Sequence, residues 1–190
     1  MITLNWFSSE LKSSEYFTSV TAEDGHRLEG DVVLPAADAP ARIAYRLEVD
    51  AQWRTRHVRA DIDRAGERRH IELTADGNGG WQHVDPPVAD LTGCLDVDLG
   101  WTPATNTLPI RRLQLDVGEE RTIDIAWVRF PEMTLERVAQ TYRRLDERSW
   151  QYSSGSFTAK LEVDAHGYVL RYGSDLWVAS AYSSGNDAPS

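Results

Sequence analysis

The segment 93–113, GCLDVDLGWTPATNTLPIRRL, holds the densest group of residues that could do chemistry. Asp96 and Asp98 are two positions apart, so on a strand their carboxylates share one face. Such a pair can act as acid and base when its surroundings separate the two pKa values, and the nearby Arg111 and Arg112 could stabilise an oxyanion. The simpler interpretation, which we favour because charged residues are mostly exposed, places both carboxylates on the solvent face of an amphipathic strand.

A polar loop, residues 102–112, follows this strand. Two prolines restrict its backbone. It carries hydroxyl and amide groups, Thr105 and Asn106 among them, directly before the planar forks of Arg111 and Arg112. A pre-organised loop with these groups can hydrogen-bond the polar head of a ligand. Alternatively, the loop satisfies its own polar groups and closes one end of the fold.

Aromatic residues form the second group of candidates. The chain has seven tryptophans, and such large amphipathic rings suit the wall of a pocket for an acyl chain or a sugar face. Trp101 abuts the polar loop and Trp127 lies on a predicted strand, so these two are the leading pocket candidates. Trp53 and Tyr142 complete the set. Ordinary core packing is the alternative interpretation, and it accounts for most of the aromatic residues.

The elements that position these residues are mostly strands. Apolar and polar residues alternate with the period of two that marks a half-buried strand, most clearly at 43–49. Strands are predicted at 28–34, 43–49, 52–60, 69–73, 81–84 and 91–99, with hairpins formed by 112–117 and 122–130 and by 152–163 and 168–172. The first ~25 residues give a weak signal. Segment 134–145 fits a helix by residue propensity and a strand by alternation.

Many short strands joined by turns predict a mainly β fold, an antiparallel sandwich or barrel. We expect one domain over residues 1–190, with its core at about 28–178 and a frayed tail at 180–190. RLEVDA (46–51) and KLEVDA (160–165) nearly repeat each other. Either Asp-Ala is a common strand ending, or two duplicated halves curl round a shared interior.

Composition excludes several classes of partner. A net charge of −10 argues against nucleic acid and anionic membrane surfaces, because a negative field repels phosphates. No apolar run approaches the ~20 residues that cross a bilayer, and the start of the sequence shows no secretory leader. The single cysteine, Cys94, excludes an intrachain disulfide and fits a reducing compartment, so we expect a cytoplasmic protein with this residue buried. The histidines show no metal-ligand spacing, so neither a metal nor another cofactor is expected.

Several segments of the chain carry a family resemblance: 93–113, IAWVRFPEM at 125–133, QTYRRL at 140–145, YRLEVDAQWRTR at 45–56, and the later LEVDAHGYVLRY and DLWV. In these segments the chain resembles a bacterial family, the putative glycolipid-binding proteins. It covers the chain from about Leu28 to Val178. It implies a strongly curved antiparallel sheet, barrel-like, around a long apolar cavity, and an extended conformation for 134–145.

The leading hypothesis is therefore a binding protein without catalysis that holds a lipid or glycolipid in an apolar cavity, with residues 102–112 selecting the head group at the cavity mouth. The expected ligand-binding residues are Trp53, Trp101, Thr105, Asn106, Arg111, Arg112, Trp127 and Tyr142. One alternative is a hydrolase or isomerase that uses the two aspartates with the two arginines, which requires carboxylates that face the cavity. The other is a protein-interaction β domain, whose interior would be filled with side chains. The oligomeric state stays open.

Overall fold

The structure is a computed structural model that describes residues 1–36, 39–83 and 90–185. These ranges contain fourteen strands and one short α-helix. The strands are β1 (Ile2–Ser8), β2 (Ser13–Ala22), β3 (Gly25–Ala36), β4 (Ala39–Asp50), β5 (Thr55–Arg64), β6 (Glu67–Ala75), β7 (Trp81–His83), β8 (Asp96–Leu99), β9 (Glu120–Val128), β10 (Leu135–Arg144), β11 (Ser149–Ser154), β12 (Phe157–Val163), β13 (Val169–Tyr172) and β14 (Trp177–Ser184). The helix, α1 (Thr107–Leu113), follows a 3₁₀ turn at Ala104–Asn106.

The strands form one sheet in the order β7-β6-β5-β4-β3-β2-β1-β14-β13-β12-β11-β10-β9-β8. Neighbours are antiparallel except β8 and β9, which are parallel. The sheet curls until its edges approach: the Gly93 N–H donates to the Gly79 carbonyl at 2.9 Å, and the Trp81 indole N–H to the Cys94 carbonyl at 2.8 Å. No ladder joins the two edge strands within the described residues. The predicted mainly β, curled and barrel-like sheet is thus confirmed.

The core lies on the inner face of this sheet. Along β4, Ile43, Tyr45 and Leu47 are buried and alternate with more exposed residues, as the period of two predicts. Trp6 of β1 and Phe17 of β2 are fully buried and pack together, with ring centres 4.8 Å apart. Burial of each such side chain contributes about 1.5–3 kcal/mol, so the inner face supplies most of the driving force for folding.

Residues 101–110, here called the plug, occupy the space inside the curl. All ten are buried, and their side chains connect opposite parts of the sheet. The Thr102 hydroxyl donates to Glu15 of β2 at 2.8 Å, while the Tyr142 hydroxyl of β10 donates to Asn106 at 3.0 Å. The plug therefore lies inside the curl, in the region where the resemblance implied an apolar cavity, as side chains do in the interior of other small barrels.

The N-terminal segment forms two central strands, β1 and β2, so the expected core boundary at residue 28 is wrong. The alternation of β2 is hidden in the sequence because its inward positions include Ser13, Glu15 and Ser19. The expected frayed tail is wrong for residues 180–184, because β14 pairs with β1 as far as Ser184. Residues 186–190 lie outside the described ranges.

Two predicted strands before β9 are also wrong. Residues 112–117 do not form a strand, because α1 ends at Gln114 in a left-handed conformation, with φ 48°. The predicted hairpin with 122–130 is therefore absent, and β9 pairs with β8 and β10 instead. Of the predicted strand 91–99, only β8 is extended. Before it, the buried Cys94 packs with Leu91 and Ala126, which confirms the expected burial of the cysteine.

The remaining elements follow the predictions more closely. Residues 134–145 form the strand β10, because nine residue pairs with β9 outweigh the helix propensity of the segment. The predicted strand 152–163 is two strands, β11 and β12, joined by a turn at Gly155. The predicted strand 52–60 begins only at Thr55, because Trp53 belongs to a turn. Within the described residues, no helix has the length and apolar character that crossing a membrane requires.

Candidate ligand-binding site

Two turns have the same hydrogen bonds. We call residues 50–54 turn A and residues 164–168 turn B; they follow β4 and β12 and contain the ends of the near-repeated segments. In each turn the first residue, Asp50 or Asp164, accepts hydrogen bonds from the backbone N–H groups two and four residues later. These bonds are 3.0 Å long in turn A and 2.8–2.9 Å in turn B. The match supports the hypothesis that the two halves are duplicated.

Trp53 occupies in turn A the position that Gly167 occupies in turn B. Both are left-handed, with φ 64° for Trp53 and 83° for Gly167. Each also donates its N–H to the carbonyl of the aspartate three residues earlier. Glycine adopts this conformation freely, whereas a bulky residue is strained in it. Because such strain is concentrated at functional sites, Trp53 is the first residue of the candidate site.

Arg111 contacts both turns. Its guanidinium carbon lies 5.1 Å from the centre of a Trp53 ring, within the range of a cation–π contact. On the other turn, the missing side chain of Gly167 makes room for the arginine stem, since a Cβ there would lie 3.1 Å from Cδ of Arg111. Arg111 and Arg112 stand in the last turn of α1. Successive side chains on a helix point about 100° apart. Arg112 therefore points away from the two turns and pairs with Asp96 of β8.

Arg111 is partly buried and, within the described ranges, has no carboxylate or carbonyl partner. Other partly buried arginines differ: Arg54 and Arg112 pair with aspartates, and Arg144 donates to a main-chain carbonyl. None of its nitrogens is among the buried unpartnered atoms of the described residues, so the guanidinium faces solvent. The donors of Arg111 are therefore available to a ligand.

Two depressions flank this pair, and Trp53 and Arg111 line both. The first, here called the His26 depression, has a volume of about 280 Å³. Its other lining residues include Ile2, Ser19, His26, His166 and Tyr168. The second, here called the Trp150 depression, has a volume of about 390 Å³. Its other lining residues include Ile110, Leu115, Arg144, Glu147, Trp150 and Asp164. Both approach the size of small-molecule sites.

The electrostatics of the His26 depression are set by Arg111. The His26 ring stacks on Trp53, with ring centres 4.1 Å apart. Burial lowers the pKa of His26, and the Arg111 charge lowers it further, so the imidazole is neutral at neutral pH. Burial raises the pKa of Tyr168, opposed by its hydrogen bond to Ser19 and by the Arg111 charge. Arg111 is thus the fixed positive charge of the site.

Four residues predicted to bind ligand line neither depression but lie in the interior: Trp101, Thr105, Asn106 and Tyr142. Their polar groups, apart from the Trp101 indole N–H, belong to a network around Asp98. The Thr105 hydroxyl donates to Asp98 at 3.1 Å and the Gln140 amide at 2.7 Å. These contacts hold the plug against β8 and β10.

Asp96 and Asp98 do not form the solvent face of their strand, so the favoured interpretation of this pair is wrong. Asp96 is 0% exposed and Asp98 is partly buried. Burial raises the pKa of Asp96, opposed by the hydrogen bonds and charge of Arg112. Burial also raises the pKa of Asp98, opposed by Gln140 and Thr105. All four carboxylate oxygens accept hydrogen bonds from protein groups, which is typical of a structural network.

Trp127 and the largest depression lie apart from Trp53 and Arg111. Trp127 is partly exposed on β9 beneath the Arg129 guanidinium, whose carbon is 4.8 Å from the ring centre. The largest of the described depressions, about 600 Å³, lies across β2 to β5. Both of its arginines are paired with carboxylates of the same surface, Arg46 with Glu29 at 2.7 Å and Arg59 with Asp61 at 3.2 Å. Paired groups leave few free donors, so this surface is a weaker candidate.

The structure brings together two of the residues that the sequence singles out, Trp53 and Arg111. Their neighbours His26, His166 and Tyr168 carry no local motif, and the spacing of the histidines bears only on metal binding. The available signal was the near-repeat at 46–51 and 160–165, because it marks the two turns that flank Arg111.

The fold defines a mainly β protein built on one strongly curled sheet, with an aromatic and arginine site beside two equivalent turns. The chain matches the family described as "Putative glycolipid-binding" over residues 3–177, and it belongs to that family. It is similar to a DUF1089 family protein from Pseudomonas aeruginosa whose crystal structure is known, with a TM-score of 0.76 and 32% sequence identity over 85% of this chain and 90% of that chain. No curated protein matches the chain.

Proposed function

We propose that this protein binds a lipid-like molecule and that Trp53 and Arg111 hold its polar head group. The family description supports binding of this kind. The observation that carries the proposal is the partly buried Arg111 guanidinium, which lies over the ring of the strained Trp53 and has no acceptor among the described residues. The Trp53 ring, which is 5% exposed and stacks on His26, supports the guanidinium, and a guanidinium fork can donate to the oxygens of a head group.

The proposal concerns the head group, because the buried residues of the plug lie inside the curl that an acyl chain would have to enter. Apolar residues do lie at the rim: Met1 is 71% exposed and lines the His26 depression together with Ile2. An alkyl chain attached to the head group could pack against these apolar residues. Each Å² of apolar surface buried there would stabilise binding by about 25 cal/mol.

Calorimetric titration with monomeric octyl β-glucoside, below its micelle concentration, tests the proposal. We expect saturable binding, and weaker binding of methyl β-glucoside, which lacks the chain. Arg111→Gln should weaken the binding of octyl β-glucoside about tenfold, since a hydrogen bond from a charged donor contributes about 1.5–3 kcal/mol. Arg129→Gln is the matched control, because it removes an arginine that lies over another tryptophan, outside the site.

Native mass spectrometry of protein purified without detergent gives a second measurement. We expect a co-purified lipid-like molecule to appear as an added mass on the protein. The fraction of protein that carries this mass should fall in Arg111→Gln and stay unchanged in Arg129→Gln. If no lipid-like mass accompanies the protein and the glucoside shows no saturable heat, the proposed function is wrong.

A protein-interaction β domain is the second candidate, and the burial of all ten plug residues favours it. Phe7 and Tyr16, on neighbouring strands, are 51% and 56% exposed and offer an apolar surface for a partner. The same titration distinguishes the candidates, because saturable, Arg111-dependent binding of the glucoside would leave this one without support.

A further inference from the structure

Among the described residues, the His26 depression has no carboxylate, although the protein is acidic. The chain has 30 aspartates and glutamates and a net charge of −10, yet no acidic side chain of the described ranges lines this depression. Its polar lining consists of Arg111, His26, His166, Tyr168 and several serine or threonine hydroxyls. An isolated positive site on a negative protein is best explained by the charge of what it binds.

The neighbouring Trp150 depression has a different character. It contains Glu147 and Asp164 beside Arg111 and Arg144. Asp164 forms no ion pair with Arg111, because its two oxygens are directed to the N–H groups of turn B and to the Tyr182 hydroxyl, at 3.0 Å for the latter. Among the described residues, Arg111 therefore has no carboxylate in direct contact on the His26 side.

We propose that the head group is acidic and that its carboxylate, phosphate or sulfate oxygens bind the Arg111 guanidinium in the His26 depression. The inference rests on the proposed function, since it assigns the chemical class of the head group at the same site. An oxyanion accepts two parallel hydrogen bonds from the arginine fork, an arrangement stronger than a contact with neutral hydroxyls. The aliphatic part of Arg111 packs against Gly167 and its guanidinium packs over Trp53. Because the side chain is already held in this way, it loses little conformational entropy when the ligand binds.

The nearby groups suit an acidic ligand better than a neutral one. The neutral imidazole of His26 has one N–H that it can donate to an anion. His166 is exposed in turn B and lines the same depression. The Tyr168 hydroxyl donates to Ser19 at 2.7 Å. Tyr168 therefore lines the depression and does not compete with a ligand for the donors of Arg111.

Two probes that differ only in the acidic group test the inference. Octyl β-glucuronide has the ring and chain of octyl β-glucoside, with a carboxylate in place of the hydroxymethyl group. By calorimetry, we expect the glucuronide to bind at least about tenfold more tightly, as a charge-assisted bidentate contact requires. Arg111→Gln should abolish this preference, while Arg129→Gln should keep it. Circular dichroism and thermal unfolding verify that both variants are folded.

Free glucuronate and inorganic phosphate serve as further probes, because an anion could come from a lipid head group or from solution. If the two octyl sugars bind equally well, or if Arg111→Gln keeps the preference, the inference of an acidic head group is wrong while the proposed function stands. If only glucuronate or phosphate binds, and does so through Arg111, the anion site stands and the lipid-like ligand is wrong. If none of the four probes binds, both are wrong.

Discussion

Replacing Arg112 with glutamine is expected to lower the free energy of unfolding by about 3–5 kcal/mol, because it leaves a buried carboxylate without its counter-ion. The Asp96 side chain is 0% exposed, and the Arg112 side chain is 16% exposed. The guanidinium Nε lies 3.0 and 3.1 Å from the two oxygens of Asp96. Without it, the carboxylate either stays charged in a poorly solvated place or takes up a proton. Urea denaturation at neutral pH, followed by circular dichroism, measures the loss.

Arg137→Gln is the matched control for this prediction. It removes an arginine–aspartate pair in which the two side chains are 41% and 40% exposed, and such exposed pairs contribute at most about 1 kcal/mol. The double variant Asp96→Asn with Arg112→Gln removes both charges and should recover much of the lost stability. Equal effects of Arg112→Gln and Arg137→Gln would show that the buried pair does not hold the plug.

This pair matters to the fold because β8 is an edge strand in parallel pairing with β9. Only four residue pairs join the two strands, so the ladder alone is a weak attachment. The ion pair ties β8 to α1, at the end of the plug, and Thr105 ties the plug to Asp98 of the same strand. The carboxylates that looked suited to catalysis therefore hold the plug inside the sheet.

Strands were predictable from the sequence wherever one face is apolar and the other polar. Segment 43–49 is the clearest case, because its inward residues are all apolar and its outward residues include Arg46 and Glu48. The same logic failed for β2, whose inward face carries Glu15. Alternation of apolar and polar residues indicates a half-buried strand only when the buried residues are apolar. A buried carboxylate whose partners lie far along the chain interrupts this pattern, so the strand cannot be recognised from its sequence.

The plug could not be predicted for the same physical reason. Hydroxyl and amide groups between two prolines are typical of an exposed loop, because a buried polar group needs a partner. The partners exist, but they are far along the chain: Glu15 lies 87 residues before Thr102, and Tyr142 lies 36 residues after Asn106. A local pattern cannot show that such groups are satisfied.

The candidate site was predictable in part. An aromatic residue and an arginine were singled out for their chemistry, yet Trp53 and Arg111 meet only because turn A and turn B flank the end of α1. The left-handed backbone of Trp53 has no signature in sequence, since glycine is the residue expected there. Its equivalence to Gly167 became visible only from the hydrogen bonds of the two turns.

Glu15 provides the second large effect, through the dependence of stability on pH. Its side chain is fully buried, and one oxygen accepts hydrogen bonds from the hydroxyls of Tyr45 and Thr102 at 2.6 and 2.8 Å. The other oxygen has no partner within the described residues. Gly30 allows the tyrosine ring to lie there, because a Cβ at this position would be 2.3 Å from Cε1 of Tyr45.

Burial raises the pKa of Glu15 from 4.5 to about 8, although the hydrogen bonds from Tyr45 and Thr102 oppose the change. Between these two values the folded protein keeps a proton that the unfolded chain releases. The contribution of neutral Glu15 to the free energy of unfolding is therefore fully present below pH 4.5 and is lost as the pH rises to about 8. The loss is at most about 1.4 kcal/mol per pH unit. Above that range Glu15 is ionised in both states and the loss stops growing.

Glu15→Gln should remove this dependence, because glutamine keeps the acceptor for Tyr45 and Thr102 and cannot ionise. We expect the variant to gain on the order of 3 kcal/mol relative to the natural protein between pH 5 and pH 8, measured by urea denaturation at each pH unit. Other titrating groups are common to both proteins and cancel in the difference. Parallel stability curves for the two proteins would mean that Glu15 is already ionised at pH 5 and that the plug rests on a buried charge. A difference that grows with pH would mean instead that the plug is held by a neutral carboxylic acid, so that alkaline conditions loosen the interior that an acyl chain would need.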